Sequence, residues 1–188
     1  GALKDLTDIL GLPEEMASFN GRLGLGFAAD GKGRALAHFQ PEQPIVDPQT
    51  GETTGHMPFI NLTRSGGVGS LAHEWGHFFD NIIGKLHNKG YMSESTGWSS
   101  AKLDNPIMEA FHGLSNSPEF KEFESRVKAH TRKNGLDADY WANDKELFAR
   151  SFEKHINHKL SAKDRKNTYL SNVRDHDLWP SSEETKAM

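Results

Sequence analysis

Apolar residues at Leu3, Leu6, Ile9 and Leu10 recur at the spacing of a short amphipathic helix over Ala2 to Leu10, stopped by Gly11 and Pro13. Leu23 to Ala29 and Arg34 to Phe39 are short apolar or alternating runs flanking Asp30-Gly31-Lys32-Gly33, a turn sequence, so together they predict a hairpin. Gln40 to His56 is rich in Pro, Gly, Thr and Asp and predicts a loop, and Met57 to Leu62 a third strand. After the glycine-rich turn Gly66 to Gly69, Ser70 suits the N-cap of a helix running to about Ile83 and closed by Gly84. Lys85 to Trp98 is polar and predicts a loop. Helical periodicity then dominates over Ile107 to Leu114, from Ser117-Pro118 to about His130, and from Asp144 to Leu160. A small sheet followed by helices predicts an α+β domain over residues 1–170, with a loosely held polar tail over 171–188.

Composition narrows the chemistry. The 188 residues suffice for one domain with a real core, and 35% hydrophobic with 26% charged residues is the balance of a soluble globular protein. A formal net charge of -4, with basic residues only in mixed patches such as Lys163, Asp164, Arg165 and Lys166, argues against nucleic-acid binding. No segment approaches the ~18–20 apolar residues of a membrane span, and the N-terminus lacks a signal pattern. Gly1 rather than Met opens the chain, as expected of a piece of a longer polypeptide. There is no cysteine, which excludes disulfides and thiolate metal sites and suits a reducing cytoplasm. A transition metal would have to be held by His, Asp or Glu.

Such a set stands at His73-Glu74-Trp75-Gly76-His77. Histidines four apart on a helix project from one face, one turn apart, so both imidazoles can reach one ion. Glu74 faces the same cleft at another angle, too far round to ligate comfortably but able to take a proton from an activated water and pass it to a leaving amine. The apolar Phe78, Phe79, Ile82 and Ile83 that follow would anchor the helix in a core. A catalytic zinc site also needs a third protein ligand. Glu146 and Glu153 are candidates, two turns apart on a helix that Phe148 and Phe152 would pack onto the core. One of them could ligate while the other supports a ligand. Asp80, one turn beyond His77, is the rival, better placed to support a histidine ring.

Five segments in order carry a recognisable resemblance: Gly21 to Phe27, Arg34 to Phe39, Ile60 to Thr63, Gly69 to His77, and Glu146 to Glu153. Together they resemble the zincin-like metallopeptidase domain of the large polyvalent protein-associated group, found in long polypeptides of bacteriophages and conjugative elements. The late segment is also similar to the gluzincin peptidase domain of anthrax lethal factor. That resemblance implies Glu146 as third zinc ligand beside His73 and His77, and Tyr140 as an assisting residue able to donate to the oxyanion, with Trp141 the lesser choice as a wall of the site. In other zincins substrate lies along an edge strand, which implies that Arg34 to Phe39 or Met57 to Leu62 pairs with an extended peptide. His38 could then face the cleft, although a surface or core position is the commoner fate of such a histidine. His155 and His158 come near metal spacing but at a helix end, where a dipole or solvent role is simpler.

The expected function is a cytoplasmic zinc metallopeptidase with Zn2+ held by His73, His77 and Glu146, and Glu74 as general base. Its expected partner is a protein or peptide substrate, either a host protein or the parent polypeptide, with no nucleic acid and no membrane. Delivery into another cell as a toxin is compatible with this reading. The alternatives are a zinc-containing binding module without turnover and a hydrolase of small amides.

Overall fold

The structure is a computed structural model and describes residues 1–27, 37–63, 67–87, 90–94, 106–173 and 176–188. Helix α1 (Ala2–Leu10) ends at Gly11 as its apolar spacing predicts, and a 3-10 turn (Glu14–Ser18) follows. Leu6 is wholly buried against Leu23, Ile60, Leu62 and Leu71. The outer face of α1 is tied to the loop after the last long helix, where Arg165 and Asn167 both bond the Asp5 carboxylate.

Three strands form one sheet in the order β1-β3-β2: β1 (Gly24–Phe27), β2 (Ala37–Val46) and β3 (Thr53–Leu62). This corrects the predicted hairpin. β1 pairs in parallel with β3, Gly24 opposite Phe59 and Phe27 opposite Leu62, and β2 pairs antiparallel on the other side of β3. The turn residues Asp30 to Gly33 lie outside the described residues. Turn chemistry reports where a chain reverses; it does not say which strand the chain returns to. β3 takes the centre: Phe59 to Leu62 are paired along both backbone edges, and Ile60 and Leu62 are buried there.

The predicted loop over Gln40 to His56 is also corrected. Most of it is the β2–β3 hairpin, closed at Asp47 to Glu52, where the Asp47 side chain accepts from the backbone N–H groups of Gln49 (2.7 Å) and Thr50 (3.2 Å). Pro41 and Pro44 read as loop residues, but β2 is an edge strand, where a missing N–H is tolerated, and its register slips between Gln40 and Gln43.

Helix α2 (Leu71–Leu86) carries the two-histidine motif. Ser70 stands at its N-cap without a side-chain capping bond, and the Leu170 carbonyl accepts from the Ala72 N–H (2.9 Å). Gly84 does not end the helix as expected. It lies inside it because Tyr91 and Met92 pass so close that a Cβ there would sit 2.6 Å from the Tyr91 carbonyl carbon. Close approach, not termination, selects the glycine.

The remaining helices are α3 (Pro106–Asn116), α4 (Pro118–Asn134), α5 (Ala138–Trp141), α6 (Asp144–Ala162) and α7 (Ser182–Ala187). α4 starts as predicted, with the Ser117 hydroxyl accepting from Phe120 N–H and Pro118 in the first turn. α6 packs on α2 through stacked rings: Trp75 lies 5.5 Å from Phe152 and 5.8 Å from Phe79, centroid to centroid. A second cluster gathers Phe120, Phe123, Val127 and Leu147 around Leu178. The loosely held tail is therefore a further correction. Leu178 is buried, Arg126 makes a two-pronged ion pair with Glu184 (2.5 and 2.7 Å), and α7 opens with a capping box between Ser181 and Glu184. The polar composition of the tail hid a few well-spaced apolar anchors. The whole is α+β, and among the described residues no helix is long and apolar enough to cross a membrane.

Candidate metal centre

α2 projects His73 and His77 from one face, with Nε2 of each 3.1 Å from the other and the rings nearly perpendicular at 86°. α6 delivers Glu146 opposite them, Oε1 3.2 Å from His77 Nε2 and Oε2 3.5 Å from His73 Nε2. These three side chains form a group that could hold a metal ion, two half-buried imidazoles and a buried carboxylate. The spacing fits an ion. In a tetrahedral site with bonds of about 2.0–2.1 Å, donor atoms stand about 3.4 Å apart, close to the three separations observed. Two ring nitrogens and a carboxylate crowded so closely need shared positive charge between them, either protons or a cation.

Gly76, between the two histidines, makes this approach possible. A Cβ there would meet Phe152 Cδ1 at 3.2 Å and Ala149 Cα at 3.3 Å. Ala149 lies one turn beyond Glu146, so the gap at Gly76 sets how near the carboxylate comes to the rings. Asn143 fixes the other end. Its side-chain oxygen caps α6 by accepting from Glu146 N–H (2.9 Å), and its amide donates to the carbonyls of Asp139 (3.0 Å) and Tyr140 (2.9 Å). One side chain thus couples Glu146 to the turn that carries Tyr140.

Buried Arg150 continues that clamp. It donates from Nε to the Glu146 carbonyl (3.1 Å), from Nη1 to the Leu178 carbonyl (2.9 Å) and from Nη2 to the Trp141 carbonyl, with its guanidinium 3.7 Å from the Glu146 carboxylate. Sequence reasoning missed Asn143 and Arg150. An Asn three residues before a helical Glu is a capping signal that could have found the first; nothing local marks the second.

Electrostatics follow from this crowding. Burial alone would raise the Glu146 carboxyl, but the hydrogen bonds and charges of His73 and His77 hold it well below the usual carboxylate range. Burial would lower His73, and the Glu146, Glu74 and Glu153 carboxylates together raise it instead. Glu74, 6% exposed on the same helix, is pushed up by burial against the pull of both histidines. Tyr140 is pushed up by partial burial and by the Glu146 and Glu74 carboxylates.

An open cleft of about 300 Å³ lies over the group, bordered by His38 and Phe39 of β2 on one side and by Tyr91, Tyr140 and Lys145 on the other. Glu74 lines its floor. His38 therefore borders the cleft rather than taking the commoner surface or core position. Tyr140 is on the rim, about half exposed, whereas Trp141 turns into the second core cluster under the Arg150 guanidinium.

Asp80 is directed elsewhere. Its carboxylate accepts from the Ser93 hydroxyl (2.5 Å) and backbone N–H (2.8 Å), so it holds the segment of Tyr91 and does not join the three-residue group. Glu153 approaches the far nitrogen of His73, Oε2 to Nδ1 3.8 Å. His155 and His158 are not part of the group. Met57 to Leu62, a candidate peptide-pairing strand by sequence, lies in the central strand, paired on both sides over Phe59 to Leu62, and among the described residues β2 is the sheet edge beside the cleft.

No curated protein and no solved structure matches the chain. Residues 132–188 match the family model of large polyvalent protein-associated domain 1. The matched stretch is less than a third of the chain and holds Tyr140, Glu146, Arg150 and Glu153 but neither histidine of α2. The last third of the chain is similar to the polyvalent protein-associated group.

Proposed function

We propose that this chain is a zinc-dependent metallopeptidase. The observation that carries the reading is the convergence of His73, His77 and Glu146 at donor-atom spacing, with Glu74 beside them at the floor of an open cleft. Two histidines and a glutamate are a common donor set of catalytic zinc, and without cysteine the site has no softer ligand to offer. Zinc so held supplies Lewis acidity, lowering the pKa of water and polarising a carbonyl. The chain's own groups then divide the work. Glu74 takes the proton of the attacking water and delivers it to the leaving amine, and its burial raises its basicity for that role. Tyr140, on the rim, donates from its hydroxyl to the carbonyl oxygen as negative charge develops there. An extended peptide lies along the open edge of β2, its scissile bond over Glu74. The substrate is a protein in the cytoplasm, of the host or of the parent polypeptide.

Metal analysis of the purified chain should find one zinc, lost in His73→Ala. Glu74→Gln should keep the zinc and abolish cleavage of unfolded protein substrates. Cleavage undiminished in Glu74→Gln contradicts the mechanism, and stoichiometric zinc with no cleavage by the unaltered chain favours a binding module instead.

A further inference from the structure

His73 has two sides. Its Nε2 faces Glu146 and His77, while its Nδ1 faces Glu153, 3.8 Å away. An imidazole that ligates through Nε2 must be neutral and so carries its proton on Nδ1, where an acceptor fixes the tautomer and the ring angle. Glu153 is the carboxylate on that side, at an ion-pair separation that a small turn of the ring would close to a hydrogen bond.

Its own position is set from outside α6. The Trp179 indole N–H donates to the same Oε2 (2.9 Å), and the Ser171 hydroxyl also bonds the carboxyl group. Both partners come from the segment after Leu170. Trp179 is held in turn: its carbonyl accepts from Arg126 (3.1 Å), and the preceding carbonyl of Leu178 accepts from Arg150. Glu153 is only 4% exposed, and a carboxylate taken so far out of water is costly unless it is hydrogen-bonded. A glutamine or an apolar residue would fill that space with less strain on stability. What the carboxylate adds over a glutamine, whose carbonyl oxygen also accepts, is a full negative charge behind His73.

We propose that Glu153 and Trp179 are positioning residues of the metal centre, Trp179 fixing the carboxylate and the carboxylate fixing the His73 ring, so that the C-terminal segment is a working part of the site. The inference rests on the metal reading above. It also gives the matched stretch, residues 132–188, a common role, since Glu146, Glu153 and Trp179 all lie in it and together build one complete side of the centre.

The test is zinc affinity of the full chain, measured by competition with a chromophoric chelator, together with the visible spectrum of the cobalt(II)-loaded protein. Glu153→Gln should weaken zinc roughly 10- to 100-fold and shift the cobalt bands. Trp179→Phe, which keeps an aromatic ring of smaller size and loses the N–H, should weaken it in the same direction by less. Because Trp179 acts through Glu153, the double variant should bind no more weakly than Glu153→Gln alone. A purely structural role would instead lower the unfolding temperature of the metal-free variants and leave zinc affinity and cobalt spectrum untouched. Affinity within twofold of the unaltered chain in Glu153→Gln, or losses that multiply in the double variant, overturns the proposal. Should Trp179→Phe fail to fold, Ser171→Ala with Glu153→Gln gives the same cycle. Failure of the unaltered chain to bind zinc overturns the metal reading itself, a separate result.

Discussion

Adding one methyl group at Gly76 sets two effects against each other. Helix propensity favours the change, since alanine in a helix interior is better than glycine by about 1 kcal/mol. Packing opposes it. The new Cβ would stand 3.2 Å from Phe152 Cδ1, 3.3 Å from Ala149 Cα and 3.4 Å from Phe152 Cβ, where relaxed carbon contacts are about 3.5–4.0 Å. Phe152 cannot turn aside, because its ring is stacked on Trp75 and lies against Phe79 and Phe148. Ala149 Cα is backbone. α6 must therefore move out by roughly 0.3–0.5 Å, an overpacking cost of about 1–3 kcal/mol. The net expected loss of stability is about 0–2 kcal/mol.

The same displacement carries Glu146 from His73 and His77 by more than the ~0.2 Å tolerance of a metal–ligand bond. Gly76→Ala should thus weaken zinc roughly tenfold, even if the unfolding temperature changes little. Denaturant unfolding and chelator competition on the same preparation measure the two terms separately. A variant that gains the full propensity term and binds zinc as before would refute the argument that this glycine sets the distance between α2 and α6.

Other outcomes can be measured alongside. Burial raises the Asp80 carboxyl to about 6 from its ordinary 3.8, so its favourable share of stability is present below about pH 4 and lost as pH rises through about 6. Asp80→Asn should flatten stability over that window by up to about 3 kcal/mol, since an amide can still bond both Ser93 groups; an unaltered pH profile in denaturant melts counts against it. Arg150→Met leaves the Leu178 and Trp141 carbonyls without their donor and should cost about 2–4 kcal/mol in unfolding free energy. Phe123→Ala in the second core cluster should cost about 3–5 kcal/mol by the same measurement, and a smaller loss would mean that the C-terminal segment recloses over the cavity.

Local features were legible in the residues alone. Periodicity gave α1, α4 and α6 to within a few residues, because each has a strong apolar stripe and a capping or stop signal beside it. Spacing put His73 and His77 on one helical face, since four residues make about one turn, and Glu74 beside them at another angle. Whatever depends on residues far apart in the chain was settled only by packing. The strand order β1-β3-β2 was one such matter, because turn signals carry no information about partners. Another was the choice of Glu146 over Glu153, which helical spacing left open and only the family resemblance singled out; packing brings Glu146 to the histidines across a gap that Gly76 keeps open. The roles of Arg150 and Trp179 were invisible for the same reason. Each is a lone polar group whose partners, Leu178 for one and Glu153 for the other, lie 28 and 26 residues away along the chain. Local pattern reads the face a side chain presents; only the packed chain says what that face meets.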